Sequence, residues 1–187
     1  MRIGIDIDST LHHYWDVLAA VAKRRFGVEL DYRRQTVWEI DVLRPEQLAA
    51  AVEETHRPEN ILAAVPYPGA VETVTAWHER GHSVHVMSHR RGDAYEATEQ
   101  WLRRIGLPFD ELYCGDDKIA HAGEIGIDVF IDDTPANLLR AAEAGMTAAT
   151  LLHPWNKDLC EEEDVLCAPD WPALRRALAP LLEPATT

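Results

Sequence analysis

Five polar side chains are spaced along the sequence so that a parallel sheet would bring them together. Asp6 and Asp8 lie where one apolar run ends, Ser88 ends a second run, and Asp132-Asp133 ends a third. Residues two apart in a strand project to the same side. Open α/β sheets place their ligands at the carboxyl ends of the strands. We therefore predict that four carboxylates and one hydroxyl meet at this edge of the sheet.

Such a group of carboxylates needs positive charge beside it. At an effective dielectric constant of about 20, two like charges about 4 Å apart repel each other by roughly 4 kcal/mol. Oxygen-only ligands favour Mg²⁺, and Lys118 is placed to add a second positive charge. The sequence thus predicts a magnesium site, and a metal ion would also admit a small anionic ligand to an acidic cleft.

The elements that position these residues alternate between short apolar runs and helix-like stretches. Runs that are apolar on both faces and alternate with helices are typical of a parallel sheet covered on both sides. Gly81 and Gly106 follow two of the helices, where a left-handed residue is favoured. We predict a doubly wound α/β fold with strands over residues 2–7, 83–87, 112–114, 129–131 and 147–152, and crossover helices over residues 69–80 and 93–105.

The interval between the first two strands is too long for one crossover helix. About 75 residues separate Ile7 from Ser83, roughly three times what a crossover needs. Residues 16–26, which precede Gly27, and residues 45–56 each have a helical pattern. We predict a small all-helical cap over residues 15–65, inserted into an α/β core formed by residues 1–14 and 66–187.

Composition excludes several classes of protein. Thirty-two acidic and 18 basic side chains leave a net charge of −14, which disfavours binding to nucleic-acid polymers. We find neither a signal-peptide pattern nor an apolar run long enough to span a membrane. Three cysteines without short paired spacing suggest reduced thiols. We expect a cytoplasmic protein without a membrane partner, and the oligomeric state stays open, a homodimer included.

The ordered motifs resemble those of the haloacid dehalogenase superfamily. The resemblance covers nearly the whole chain and is carried by the segment from Asp6 to Thr10, by Ser88, by Lys118 and by Asp132-Asp133. Within the superfamily, three further segments resemble the small 5′-nucleotidase branch, which includes 5′(3′)-deoxyribonucleotidases: residues 67–70, 118–137 and 153–156. One departure is Ser9, because many members of the branch have glycine there.

The resemblance implies a role for each motif residue. Asp6 would be the nucleophile that forms an aspartyl phosphate, and Asp8 would protonate the leaving alkoxide and later take a proton from water. Mg²⁺ would bind Asp6, the backbone carbonyl of Asp8, and Asp132, with Lys118 helping to neutralise the phosphate. Asp133 would bind the metal through water or orient the lysine. Ser88 and the amide after it would hold the phosphoryl oxygens, and His89 and Arg90 either line the phosphate pocket or belong to a plain loop.

The substrate is less sharply defined by the sequence. Tyr14 and Trp15 follow the catalytic strand closely and Trp38 lies in the insertion, so these rings are candidates to stack on a base; for Trp38 core packing is the alternative. We expect a phosphomonoesterase for a small substrate, with a (deoxy)nucleoside monophosphate favoured. The alternatives are a sugar phosphate or biosynthetic intermediate and, more remotely, a receiver-like regulatory domain, in which Asp8 would have no use.

Overall fold

A parallel sheet runs through the part of the chain that the computed structural model describes, residues 1–162 and 164–183. Its six strands have the order β3-β2-β1-β4-β5-β6, and each neighbouring pair is parallel. The strands are β1 Arg2–Ile5, β2 Ser83–Ser88, β3 Glu111–Cys114, β4 Val129–Ile131, β5 Thr147–Leu151 and β6 Leu166–Ala168. The predicted doubly wound α/β fold is confirmed, and β6 was not predicted.

Helices connect the strands in the described part of the chain. They are α1 Tyr14–Phe26, α2 Pro45–Thr55, α3 Pro58–Ala63, α4 Ala70–Glu79, α5 Tyr95–Arg104, α6 Lys118–Ile125, α7 Pro135–Glu143, α8 Lys157–Glu162 and α9 Trp171–Leu182. Single 3₁₀ turns cover Tyr32–Arg34 and Gly92–Ala94. None of the described helices is long and apolar enough to cross a membrane.

Apolar clusters cover both faces of the sheet, because alternate side chains along a strand project to opposite faces. Ile3, Ile5 and Ile131 belong to a large cluster that contains the buried Trp77, Trp101 and Trp171. Phe130, which lies between two members of that cluster in β4, belongs to a second one with Met87. A Cβ atom at Gly4 would lie 2.9 Å from the Phe130 ring, so close packing requires glycine there. Strands buried on both faces explain the continuous apolar runs in the sequence.

The strand register places the carboxyl ends of β2, β1 and β4 at the same height in the sheet. Ile5 of β1 pairs with Val86 of β2 and with Ile131 of β4. The residues that follow these positions therefore emerge at one edge of the sheet. This register places the loops after β1, β2 and β4 beside one another.

The residues between β1 and α4 pack in two groups. α1 and α2 share a small apolar cluster that includes Leu18, Val21 and Ala51, whereas Ile61 of α3 is part of the large core cluster. Helices α2 and α3 begin at Pro45 and Pro58, because proline is favoured in the first turn of a helix. The division into a cap over residues 15–65 and a core over the remainder stays a prediction.

The cysteines depart from the sequence expectation. Cys160 of α8 and Cys167 of β6 form a disulfide, and Cys114 is free. The expectation of reduced thiols is therefore wrong for two of the three. The pairing depends on β6, a strand of three residues that was not among the predicted strands. The cysteine argument for a cytoplasmic location loses its support, and that location stays a prediction.

Candidate active site

Asp6 and Asp8 lie in a tight turn after β1. The amide of Asp6 donates to the carbonyl of Ile131 at 2.8 Å, so this position continues the pairing with β4. Ser9 then adopts a φ of +62°, in the left-handed region that favours glycine. The carbonyl of Ser9 accepts a hydrogen bond from His153 Nε2 at 2.8 Å. The turn directs Asp6 and Asp8 toward different partners.

Lys118 lies buried between Asp6 and Asp132. Its Nζ is 2.5 Å from Asp6 Oδ1 and 2.7 Å from Asp132 Oδ2. The lysine begins α6, whose N-cap Asp117 accepts from the amide of Ala120 at 3.1 Å. Burial alone would lower the pKa of Lys118, but the two carboxylates raise it above its ordinary value. The ammonium is therefore charged and binds both carboxylates.

Three buried carboxylates lie together beside Lys118. Oxygen atoms of Asp6, Asp132 and Asp133 all lie within 4.8 Å of one another. Burial, helped by repulsion from Asp132, raises the pKa of Asp6 to about 7, and the same causes raise the pKa of Asp133. Lys118 offsets only one of three charges, so the cluster lacks positive charge, and its all-oxygen donor set fits Mg²⁺. Lys118 takes its partners from Asp6 and Asp132, and the role of Asp133, as a metal ligand through water or as the partner that orients the lysine, stays a prediction.

The start of α7 orients Asp132. Its Oδ1 accepts from the amide of Thr134 at 2.8 Å, and its Oδ2 accepts from Asn137 Nδ2 at 3.2 Å. Asn137 is buried and also lies 3.4 Å from His89 Nε2. Sequence reasoning did not assign Asn137 a role. The signal was Pro135, which marks a helix start and so places a residue two positions later over the end of β4.

Ser88 and His89 follow β2 at the same edge of the sheet. Ser88 is buried, and its Oγ accepts from the amide of Arg90 at 3.2 Å. His89 lies on the wall of a cleft together with Lys118, and burial, with the nearby ammonium, lowers its pKa. Binding of phosphoryl oxygens by Ser88 and His89 stays a prediction.

Asp8 is held by basic side chains from three parts of the chain. Arg90 Nη2 donates to Asp8 Oδ1 at 2.7 Å and Arg90 Nε donates to Oδ2 at 3.1 Å. His12 Nε2 lies 3.0 Å from Oδ1, and His56 Nε2, just after α2, lies 3.6 Å from Oδ2. Burial would raise the pKa of Asp8, but Arg90 and the two histidines hold it well below its usual range. Sequence reasoning placed Arg90 at a phosphate pocket or in a plain loop, and missed its contact with Asp8.

A cleft with a volume of about 480 Å³ opens above Asp6, Asp8 and Lys118. The three aromatic residues predicted to contact the substrate, Tyr14, Trp15 and Trp38, all line it. Its other lining residues are Ser9, Leu18, Glu39, Ile40, Leu48, Val52, His56, His89, Asp133, Thr134 and Trp155. Most of the lining is aromatic and aliphatic, and its charged side chains are Asp6, Asp8, Lys118 and Asp133 beside the sheet and Glu39 beside Trp38.

Trp155 organises the aromatic side of the cleft. Its ring stacks on Trp15 with a centroid distance of 5.8 Å and meets Trp38 edge-on at 6.0 Å. The buried His153 stacks on the same indole at 4.6 Å. Tyr32 donates to His153 Nδ1 at 2.8 Å, which ties the 3₁₀ turn in the insertion to the loop after β5. The segment 153–156, noted for its family resemblance, thus builds a wall of the cleft.

Together, the fold and the site define a phosphatase of the haloacid dehalogenase superfamily. They combine a parallel sheet with paired aspartates after β1, a buried lysine and an acidic pair after β4. The chain belongs to the family described as 5′ nucleotidase, deoxy (pyrimidine), cytosolic type C, whose model matches residues 1–171. It is therefore a phosphoric monoester hydrolase of the 5′-nucleotidase kind, which confirms the resemblance seen in the motifs. The receiver-like alternative is removed by this membership.

Individual proteins support the assignment. The chain is 29% identical over 154 residues to a Bacillus cereus protein named "Putative nucleotidase", a match that covers 74% of this chain and 79% of that one. It is 21% identical over 155 residues to a Chlorobaculum tepidum "Putative 5′(3′)-deoxyribonucleotidase", with 77% and 75% covered. A haloacid dehalogenase family hydrolase from Deinococcus radiodurans, crystallised with phosphate and sodium, has the same fold with a TM-score of 0.72, 20% identity and 98% of each chain covered.

Proposed function

We propose that this enzyme hydrolyses a (deoxy)nucleoside monophosphate, with Mg²⁺ as its metal and an aspartyl phosphate on Asp6 as its intermediate. The lining of the cleft is the observation that supports a nucleotide as the substrate, because aromatic and aliphatic side chains lie close to the charged groups of Asp6, Asp8 and Lys118. A nucleotide divides in the same way, into a planar base and a phosphate. Stacking of a base on an aromatic ring contributes about 1–3 kcal/mol in nucleic-acid binders.

The chemistry begins at Asp6. Its carboxylate attacks phosphorus, so that a carboxylate–phosphorus bond forms while the ester P–O bond breaks. Asp8 gives a proton to the departing alkoxide and later accepts one from the water that hydrolyses the aspartyl phosphate. Lys118 stays charged between Asp6 and Asp132, so it can offset the negative charge of the incoming phosphate.

The acidic cluster supports the metal. Asp6 and Asp132 would hold Mg²⁺ through their carboxylates, Asp8 through its backbone carbonyl, and Asp133 through water. When bound, the ion would neutralise the phosphate dianion and so allow an anionic nucleophile to approach it. The position of three buried carboxylates within 4.8 Å of one another supports this assignment, because burial and mutual repulsion disfavour their charged forms unless a cation lies beside them.

The phosphoryl oxygens need donors opposite the metal. Ser88 and the amide after it lie at the end of β2, on the strand next to β1, and the ring of His89 reaches the cleft. These groups are our candidates for that role. The few polar groups on the upper walls also favour a base over a sugar, whose hydroxyls would lose their hydrogen bonds to water.

A substrate screen tests the proposal. Phosphate release is measured with purine and pyrimidine nucleoside monophosphates, in ribo and deoxy forms, and with sugar phosphates, each with Mg²⁺ and with a chelator. We expect a kcat/KM at least about tenfold higher for one or more nucleotides than for any sugar phosphate, and no turnover with the chelator. Hydrolysis of a sugar phosphate with no hydrolysis of nucleotides would overturn the nucleotide assignment and leave the phosphatase chemistry in place.

A further inference from the structure

One charged side chain of the cleft stands apart from the others. Apart from the histidines, four of the charged residues that line the cleft lie beside the sheet, whereas Glu39 comes from the insertion between β1 and α4. It is the middle residue of a run, residues 38–40, in which every member lines the cleft. An exposed glutamate is ordinary on a protein surface, but this one belongs to the aromatic side of the cleft, away from the acidic cluster.

Glu39 has no ion-pair partner among the described residues. Two other glutamates of the insertion do have one: Glu29 accepts from Lys23 at 2.8 Å, and Glu54 accepts from Arg24. No side chain in the described part of the chain donates to the Glu39 carboxylate, and the residue is exposed. Its oxygens are therefore free to accept hydrogen bonds from a bound molecule, and an ionised carboxylate can only accept.

The backbone around Glu39 is anchored on both sides. Gln35 Nε2 donates to the carbonyls of Val37 and Glu39, each at 2.8 Å. The Trp38 ring meets Trp155 edge-on at 6.0 Å, and the isoleucine that follows Glu39 packs against the apolar cluster of α1 and α2. The carboxylate is therefore presented from an anchored backbone, next to a ring on which a base would stack.

Three other polar groups on this side of the cleft are engaged within the protein. The Tyr14 hydroxyl lies 2.7 Å from a threonine hydroxyl of α2, and Trp155 Nε1 donates to a backbone carbonyl in the loop after β4 at 3.1 Å. His56 Nε2 faces Asp8, at 3.6 Å from Oδ2. Among the described residues, Glu39 is thus the charged acceptor that this side of the cleft leaves without a protein partner.

The position of Glu39 indicates which part of a nucleotide it would meet. With the phosphate beside Asp6 and Lys118, the base would extend away from the sheet, and its outer edge would lie toward the insertion. Base edges differ in their polar groups. Cytosine and guanine carry exocyclic amino donors, whereas uracil has a carbonyl where cytosine has its amino group. A carboxylate accepts from an amino group, but a carbonyl opposite it would be repelled and left without a donor.

We propose that Glu39 is a specificity-determining residue, which accepts a hydrogen bond from the exocyclic amino group of the base. The enzyme then prefers cytosine to uracil, and guanine to hypoxanthine, which lacks the 2-amino group. This inference rests on the proposed function, because it requires a nucleotide in the cleft. Glu39 acts on recognition alone, and the chemistry stays at the carboxyl ends of the strands.

The test compares two pairs of deoxynucleoside monophosphates that differ at the amino group: cytosine with uracil, and guanine with hypoxanthine. kcat/KM is measured with Mg²⁺ for the parent, E39Q and E39A. The result is the ratio of the amino-bearing member to its partner, in the pair that the parent hydrolyses faster. We expect a ratio of about 5 to 20 in the parent, because a hydrogen bond to a charged group is weakened where the site is open to water. In both variants the ratio should fall to less than about half of the parent value.

E53Q is the matched control. Glu53 is an exposed glutamate of α2, it does not line the cleft, and it has no ion-pair partner among the described residues. E53Q therefore removes the same charge from the same insertion and should keep the parent ratio. An equal fall in E39Q and E53Q would indicate an effect of net charge and would overturn the inference. Because the ratio is taken within one variant, a loss of folded enzyme cancels from it.

The remaining outcomes distinguish this inference from the proposed function. A parent ratio below about 5, or a ratio of which E39Q or E39A retains more than about half, would overturn the role of Glu39 and leave the nucleotide assignment in place. Hydrolysis of a sugar phosphate without hydrolysis of any nucleotide would overturn the proposed substrate, and the inference with it.

Discussion

The buried His153 should contribute less to the free energy of unfolding in mild acid than at neutral pH. His153 is 4% exposed, and Nε2 must carry its proton because its partner, the carbonyl of Ser9, can only accept. Nδ1 therefore accepts from the Tyr32 hydroxyl at 2.8 Å. A second proton on the ring would displace that donor inside an apolar surrounding. Burial, together with repulsion from His13, lowers the pKa of His153 to about 4.

The sign and size of the effect follow from this pKa. An unfolded histidine titrates near pH 6.5, so between pH 6.5 and 4 the unfolded chain binds a proton that the native protein does not. The contribution of His153 is thus complete above pH 6.5 and is lost as the pH falls toward 4. From pH 7 to pH 5 the contribution of His153 to the free energy of unfolding falls by about 2 kcal/mol.

Urea unfolding gives the free energy of unfolding of the parent, H153Q and Y32F at pH 7 and at pH 5, and the change between the two pH values is compared. Glutamine can donate to the Ser9 carbonyl and accept from Tyr32 without titrating, so H153Q should lose about 2 kcal/mol less than the parent between the two pH values. Y32F removes the donor to Nδ1, which raises the histidine pKa and should reduce the loss in part. Identical losses in the parent and H153Q would refute the reasoning.

Three other predictions concern the turn at Ser9, the cleft residue Trp38 and the general acid Asp8. Ser9→Gly should relieve the left-handed serine and raise the free energy of unfolding by about 1 kcal/mol, or about 2–4 °C in Tm, by differential scanning fluorimetry; an unchanged or lower Tm would contradict this. Trp38→Ala, at a side chain 46% exposed on the cleft rim, should raise KM for the nucleotide by about tenfold and leave p-nitrophenyl phosphate unaffected, whereas proportional losses would indicate packing. Asp8→Asn should lower kcat/KM for the nucleotide by roughly 10²–10⁴ and that for p-nitrophenyl phosphate much less; equal losses would end its role as the acid.

The parts of the fold set by local patterns could be predicted. β4, buried on both faces, gives a continuous apolar run that ends at Asp132, and the registry of parallel strands then places that residue near Asp6 without further information. β6 has the same length as β4 and lies in a short apolar run, residues 165–168, so the strand was overlooked rather than hidden. The Cys160–Cys167 disulfide escaped with it.

The parts of the site set by side-chain direction could not be predicted. Arginine is among the side chains least often buried, so the sequence gives no reason to expect Arg90 inside the protein with Asp8 as its partner. The same holds for His153, whose two hydrogen bonds join the loops after β1 and β5 to Tyr32 in the insertion. Such contacts depend on the distance between loops after folding, which no local spacing encodes.

The covalent role of Asp6 is the central claim, and trapping the intermediate tests it most directly. The enzyme is mixed with Mg²⁺ and its best nucleotide, quenched in acid within milliseconds, digested, and analysed by mass spectrometry. We expect one added phosphoryl group on the peptide that contains Asp6, and neither this adduct nor phosphate release above background from a folded Asp6→Asn variant. Phosphate release by Asp6→Asn at more than about a tenth of the parent rate, or a phosphoryl group on another residue, would contradict the account.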